Sequence, residues 1–154
     1  MTRDALHLPG DSILSLARAV AESGGRLLVV GGWVRDALDE EVPGRIPKDI
    51  DLEVFGLSAE IVSSLVRSFG FTEPVGRQFP IWRQTRAGLD LALPRAGNEG
   101  FTADSPESLE VACREAARHR DLTLNAISWD PLSKTLIDPV GGQSDLADRV
   151  LRAV

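Results

Sequence analysis

Leu27-Leu28-Val29-Val30-Gly31-Gly32-Trp33-Val34-Arg35-Asp36, followed by Asp49-Ile50-Asp51, is the stretch that decides the fold. Leu27 to Val30 is a short continuous apolar run, as in a strand buried on both faces. Gly31 and Gly32 end it, and a helix is expected from about Gly32 to Leu38. Glycines that open a helix offer bare backbone N–H groups, and the helix end adds partial positive charge, so the turn suits a phosphate. Asp49 to Phe55 reads as a second strand. Side chains alternate along a strand, which puts Ile50, Leu52 and Val54 on one face and Asp49, Asp51 and Glu53 on the other. Neighbouring carboxylates repel unless a cation neutralises them, and oxygen-only ligands suit Mg²⁺.

A phosphate cradle with a metal-binding acid pair is the minimum equipment for moving a nucleotidyl group. Each half also has a plainer reading. The glycines can serve a tight packed turn, with Arg35 in a surface ion pair instead of forked onto phosphate oxygens. The acids can simply line a solvent-facing strand.

The rest of the chain extends the pattern on both sides. Asp11 to Glu22 predicts a helix, with Asp11 at the N-cap, an apolar stripe of Ile13, Leu14, Ala17, Val20 and Ala21, and Gly24-Gly25 as its stop. Glu40 to Pro47 reads as a loop. Ser58 caps a helix to about Phe69, stopped by Gly70. Strand candidates follow at Thr72 to Val75, Phe79 to Gln84 and Leu89 to Leu93. Pro94 to Pro106 reads as a mobile loop, Leu109 to His119 as a helix and Asp121 to Ala126 as a short second helix. A hairpin is expected from Ile127–Trp129 and Thr135–Ile137. Pro139 to Gly142 is a turn, and Asp145 to Val154 is helical or extended. Helices and strands do not alternate strictly, which favours an α+β fold with a mixed β-sheet flanked by helices.

With 154 residues the chain is long enough for one domain with a substantial core. The single cysteine, Cys113, allows no internal disulfide and fits a reducing compartment. No apolar run approaches membrane-spanning length and Met1 to Gly10 lacks a signal-peptide pattern, so a cytoplasmic protein with no membrane partner is expected. The net charge of −6 argues against a broad RNA-gripping face. Any large RNA-binding surface is local or supplied by something else.

Three further groups carry chemistry. Asp90 alternates with Leu89 and Leu91, and completes a carboxylate cluster if its strand neighbours Asp49–Phe55; it is otherwise an exposed strand aspartate. Arg120, Asp121 and Asn125 combine donors and an acceptor: Asp121 can accept from a ribose hydroxyl and Arg120 can hold phosphate or base, although Asp121 also suits an N-cap and Asn125 a helix end. The turn Asp138-Pro139-Val140-Gly141-Gly142 reads as structural. Cys113 is expected to be buried filler, Trp33, Trp82 and Trp129 to be core, and neither His7 nor His119 has a metal-ligand spacing.

Taken in order, these motifs resemble the head (catalytic) domain of class II tRNA nucleotidyltransferases, the CCA-adding enzymes, and the related bacterial poly(A) polymerases. That group belongs to the DNA polymerase β-like nucleotidyltransferase superfamily. The matching segments are Gly31 to Asp36, Asp49 to Leu52, Gly76-Arg77-Gln78-Phe79-Pro80-Ile81, Asp90 to Arg95, Arg120 to Ile127, Asp138 to Gly142, and Asp145-Leu146 through Val150-Leu151-Arg152.

The resemblance implies Mg²⁺-dependent, template-free transfer from an NTP (CTP or ATP) to an RNA 3′ end, that of tRNA above all. Asp49 and Asp51 would hold Mg²⁺, and Asp90 would be the third acid. Gly31, Gly32, Arg35 and Asp36 would bind the nucleotide with Arg120, Asp121 and Asn125. The 138–142 turn would be a joint to a neck.

On this reading 1–154 is one head domain, 1–25 is an N-terminal helical extension, and neck, body and tail are absent or supplied by a separate subunit. Base choice by the neck's Glu-Asp-x-x-Arg-x-x-Arg helix would then lie elsewhere. Arg95 to Phe101 lacks the charged stretch the family often has there, and His119 replaces a common arginine. The alternatives are a poly(A) polymerase-like enzyme, a non-catalytic nucleotide-binding or partner-dependent module, and a small toxin-type nucleotidyltransferase.

Overall fold

The computed structural model describes residues 11–39, 49–76, 78–98 and 100–154. The loop expected over Glu40 to Pro47, the N-terminal ten residues with His7, and Arg77 lie outside them. The chain runs α1 (Asp11–Glu22), β1 (Arg26–Val30), α2 (Gly32–Leu38), β2 (Ile50–Phe55), α3 (Ala59–Val66), β3 (Ile81–Gln84) and β4 (Leu89–Ala92). It continues through α4 (Pro106–Ala117), β5 (Ser128–Asp130), β6 (Thr135–Ile137) and α5 (Gly142–Ala147). Among the described residues the strands form one mixed sheet in the order β3-β4-β2-β1-β5-β6. Only β2 and β4 run parallel; the other pairs are antiparallel.

The alternation in β2 sets the two layers. Ile50, Leu52 and Val54 turn into the larger core, with Leu27 and Val29 of β1, Leu89 and Leu91 of β4, Trp82, and residues of α1, α2 and α3. The other face carries Leu28, Val30 and Phe55, covered by Ala112, Cys113 and Ala116 of α4. Asp51 and Asp90 share that second face, where Asp51 remains exposed and Asp90 half-buried. β1 is buried on both sides, as its unbroken apolar run requires.

Several boundaries differ from expectation for local reasons. In α1 the buried stripe is Ile13, Leu16, Ala17 and Val20, with Leu14 and Ala21 on its flank, and Asp11 stands inside the first turn. α4 starts earlier, because the Ser105 hydroxyl accepts from Ser108 N–H at 3.1 Å and Pro106 suits the first turn. Thr72–Val75 is no strand, although Thr72 N–H reaches Arg83 and Val75 bridges Ile81. The segment 94–106 is packed rather than loose where described: Asn98 accepts from Gly56 N–H at 3.0 Å, and Phe101 lies 5.9 Å from Phe55, centroid to centroid.

The second helix expected at Asp121–Ala126 shrinks to a 3₁₀ turn, Thr123–Asn125. Tertiary pairing takes the backbone around it, since Thr123 N–H donates to Arg152 and Val154 N–H to Asp121. Gly142 sits so close that an added Cβ would lie 2.2 Å from the Thr123 carbonyl oxygen, which ties α5 to this turn. Asp138 accepts from the N–H groups of Gly142 and Gln143, so the 138–142 turn is a helix cap.

All three tryptophans are buried, and Trp82 donates to Ser63 at 3.0 Å. Burial pushes the Cys113 thiol up to about 12, with Glu53, Asp130 and Glu110 adding to the shift, so it is inert filler at neutral pH.

Candidate active site

Antiparallel pairing sets Val30 opposite Asp51, so the chain leaving β1 turns directly beside that carboxylate. Gly31 makes the turn at φ 73°, ψ −144°, a conformation essentially restricted to glycine. A Cβ there would lie 3.2 Å from Asp51 Oδ2. The glycine therefore serves both the backbone geometry and the approach to the acid.

The parallel β2–β4 ladder pairs Asp51 with Asp90, side by side on one face. Asp49, just before β2, lies near enough to act electrostatically on Asp51. Partial desolvation by its surroundings raises the Asp51 pKa even though the side chain reaches solvent; Arg120 opposes this, while Asp90 and Asp49 push the same way as desolvation. Asp90 also meets Arg83 of β3 at 3.3 Å, an exposed contact of small energetic weight.

Arg120, which follows α4, reaches across to Glu53 at 2.6 Å. Glu53 is the next residue of the Asp49–Asp51 face. Its pKa is raised by burial first, with Arg120 lowering and Asp51 raising it. Sequence reasoning saw Glu53 on this face but gave it no part in the site. The alternation Asp49-x-Asp51-x-Glu53 was the available signal.

The remaining candidates form a second chain of hydrogen bonds beside the glycine turn. Arg35 donates through Nε to Asp36 at 2.7 Å and through NH1 to Asn125 Oδ1 at 2.8 Å. Asn125 in turn donates to Asp121 at 3.0 Å, and Asp121 also accepts from Leu122 N–H at 2.8 Å. Those bonds hold the Asp121 pKa below the usual range, Asn125 contributing most. Arg35 is thus fixed from two sides, with its guanidinium next to Gly32, where an added Cβ would come within 3.4 Å of NH2.

Among the described residues no group of three or more His, Cys, Asp or Glu side chains is gathered tightly enough to hold a metal ion. The donors nonetheless fit a hard divalent cation. They are oxygen-only, and they share a face that leaves negative charge only partly compensated.

A mixed sheet with paired acids on one face and a glycine turn entering a helix beside them defines a nucleotidyltransferase-type head. Residues 27–152 match the family described as the poly A polymerase head domain, and the chain belongs to that family. It is 39% identical over 132 residues to the multifunctional CCA protein of Xylella fastidiosa strain M12, a match spanning 82% of this chain and 29% of that protein. The chain therefore spans less than a third of the length of the curated relatives it matches.

The Bacillus stearothermophilus CCA-adding enzyme in complex with CTP shares the fold, with a TM-score of 0.68 and 24% identity, covering 96% of this chain and 34% of that one. A tRNA nucleotidyltransferase complexed with a primer tRNA and an incoming ATP analog superposes at a TM-score of 0.64 with 29% identity, over 90% of this chain and 38% of that one. The expected α+β fold, a mixed sheet flanked by helices, is thereby borne out.

Proposed function

We propose that residues 1–154 form the catalytic head of an enzyme that transfers a nucleotidyl group from CTP or ATP to the 3′ end of an RNA, tRNA above all, without a template. The single observation that carries this is the pairing of Asp51 with Asp90 beside the Gly31 turn. Relatives that are CCA proteins, and structural neighbours with CTP, an ATP analog and tRNA, support the substrate class.

Asp49 and Asp51 would hold Mg²⁺, which when bound supplies charge neutralisation at the triphosphate and lowers the pKa of the attacking hydroxyl. Asp90 stands beside Asp51 and takes the hydroxyl proton. The Gly31-Gly32 turn and Arg35 face the triphosphate, and the Arg35–Asp36 and Arg35–Asn125 bonds hold that guanidinium in place. Arg120 and Asp121 meet the ribose. Base selection and most tRNA contact belong to the parts of the longer relatives outside this head, as the net charge of −6 also suggests. A cytoplasmic setting fits this substrate; among the described residues no helix is long and apolar enough to cross a membrane.

The test is incorporation of α-labelled CTP or ATP into tRNA lacking its terminal nucleotides, with Mg²⁺, by the chain alone and with a neck–body fragment of a relative added. Labelled RNA that disappears in Asp51→Asn supports the reading. Label on protein instead of RNA, or incorporation unaffected by Asp51→Asn, overturns it. Product length separates CCA addition from poly(A) synthesis.

A further inference from the structure

We propose that Glu53 is a positioning residue: it holds the Arg120 guanidinium away from Asp51, so that the Asp49–Asp51 pair stays available to a divalent cation. The proposal rests on the function inferred above. Glu53 occupies the third place in the alternation Asp49-x-Asp51-x-Glu53.

The geometry assigns it differently. Its carboxylate is engaged by Arg120 at 2.6 Å, with side-chain exposures of 15% for Glu53 and 27% for Arg120. The neighbours of Glu53 across the ladder are Leu28 on β1 and Ala92 on β4, neither of which can contribute a ligand. The polar cluster facing solvent is formed one step along β2, at Asp51 opposite Asp90. Glu53 thus lies on the α4-covered part of the face, and Asp51 beyond it.

Among the described residues, Arg120 is the cation that acts on Asp51. An arginine cannot give up its charge, so whichever carboxylate it pairs with is weakened as a cation ligand. With Glu53 present, the guanidinium has a shielded, charge-assisted partner at short range. Without it, Asp51, on which Arg120 already acts, is a carboxylate the guanidinium can turn to. The pair keeps Arg120 close enough to serve a nucleotide while leaving the metal-binding acids anionic and open.

Binding of Mn²⁺, used alone and followed by electron paramagnetic resonance or calorimetry, tests this without any turnover. Glu53→Gln keeps size and hydrogen-bonding capacity and is expected to weaken Mn²⁺ about tenfold, the order of effect expected from one unbalanced charge at close range. In the double variant Glu53→Gln/Arg120→Gln the affinity returns to within about threefold of the parent, because net charge is restored and nothing competes for Asp51. A double variant no better than Glu53→Gln would make Glu53 a direct ligand and overturn the proposal, as would Glu53→Gln binding like the parent.

If Glu53→Gln does not fold, Arg120→Gln decides: Mn²⁺ affinity within about threefold of the parent supports the guard, because Glu53 already keeps the guanidinium off Asp51, and binding about tenfold tighter would make Glu53 a direct ligand and overturn it. Failure of the parent to bind Mn²⁺, or binding untouched by Asp51→Asn, would instead sink the functional reading on which this rests.

Discussion

Asp51 and Asp90 stand directly opposite each other on adjacent parallel strands, with Gly31 so close to Asp51 that a methyl group there would lie 3.2 Å from its carboxylate. Like charges set opposite each other destabilise a sheet, and Arg83 at Asp90 and Arg120 near Asp51 offset this only in part. Their retention on one open face is best understood as preparation for a ligand.

Asp51→Asn should therefore stabilise the metal-free protein at neutral pH. The Asp51 pKa is raised in the fold, so the folded state holds this proton more tightly than the unfolded chain. The penalty is fully present above the raised value and is relieved as pH falls through it toward the ordinary aspartate range. Because the group reaches solvent, the gain is small, about 0.5 kcal/mol or roughly 2 °C in Tm. Thermal scans from neutral to acidic pH, with and without Mg²⁺, check this. The stabilisation should shrink at low pH and reverse when Mg²⁺ is added.

Gly31→Ala tests the turn. The φ of 73° with ψ −144° is strained for any residue with a Cβ, and the methyl also presses on Asp51. A loss of about 1–3 kcal/mol is expected from denaturant melts. Metal-dependent incorporation should fall further than the loss of folded protein explains. A variant as stable as the parent would mean that the turn relaxes easily.

Asn125→Ala removes the acceptor of Arg35 NH1 and the donor to Asp121 together. The site is half-buried and not core, so stability should drop by about 1 kcal/mol. The expected kinetic signature is a KM for nucleotide raised about fivefold or more, with kcat changed less, since an arginine that binds the ground state as well as the transition state is being loosened. An effect confined to kcat would argue against a binding part for Arg35.

Asp145→Asn tests the closure of the C-terminal segment. Asp145 accepts from Thr123 Oγ1 at 2.6 Å and from Arg152 Nε at 3.0 and 3.1 Å, and these bonds hold its pKa down, Arg152 most strongly. A depressed carboxylate stabilises above its unfolded pKa, and that stability is lost as pH falls through the folded value. The variant should lower Tm at neutral pH, lose less than the parent on acidification, and expose 150–154 to limited proteolysis. Equal acid sensitivity in both proteins would contradict this.

How far the chain could be read depended on the range of the interaction. The helix over Gly32–Leu38 and the β2 alternation were legible because a turn and a two-residue repeat are local. The acid face of Asp49, Asp51 and Glu53 followed from that repeat. The extent of Asp121–Ala126 was not legible, because the Thr123 N–H and the Asp121 carbonyl are claimed by Arg152 and Val154 across the fold. Nor was the order at 94–106, since Asn98 and Phe101 are held by Gly56 and Phe55. Arg120 read as a free cation for phosphate or ribose; its commitment to Glu53 spans 67 residues of sequence and leaves no local trace.

By itself the sequence determined the pieces: a buried strand, a glycine turn, an acid-bearing strand face, and an order of motifs belonging to one family. It could do so because alternation, glycine geometry and motif spacing are properties of neighbouring residues. Only the tertiary structure decided that Asp90 lies opposite Asp51 and that Glu53 is occupied by Arg120. Those relations depend on which strands pair and in what register, which is fixed by burying the two faces of the sheet at once.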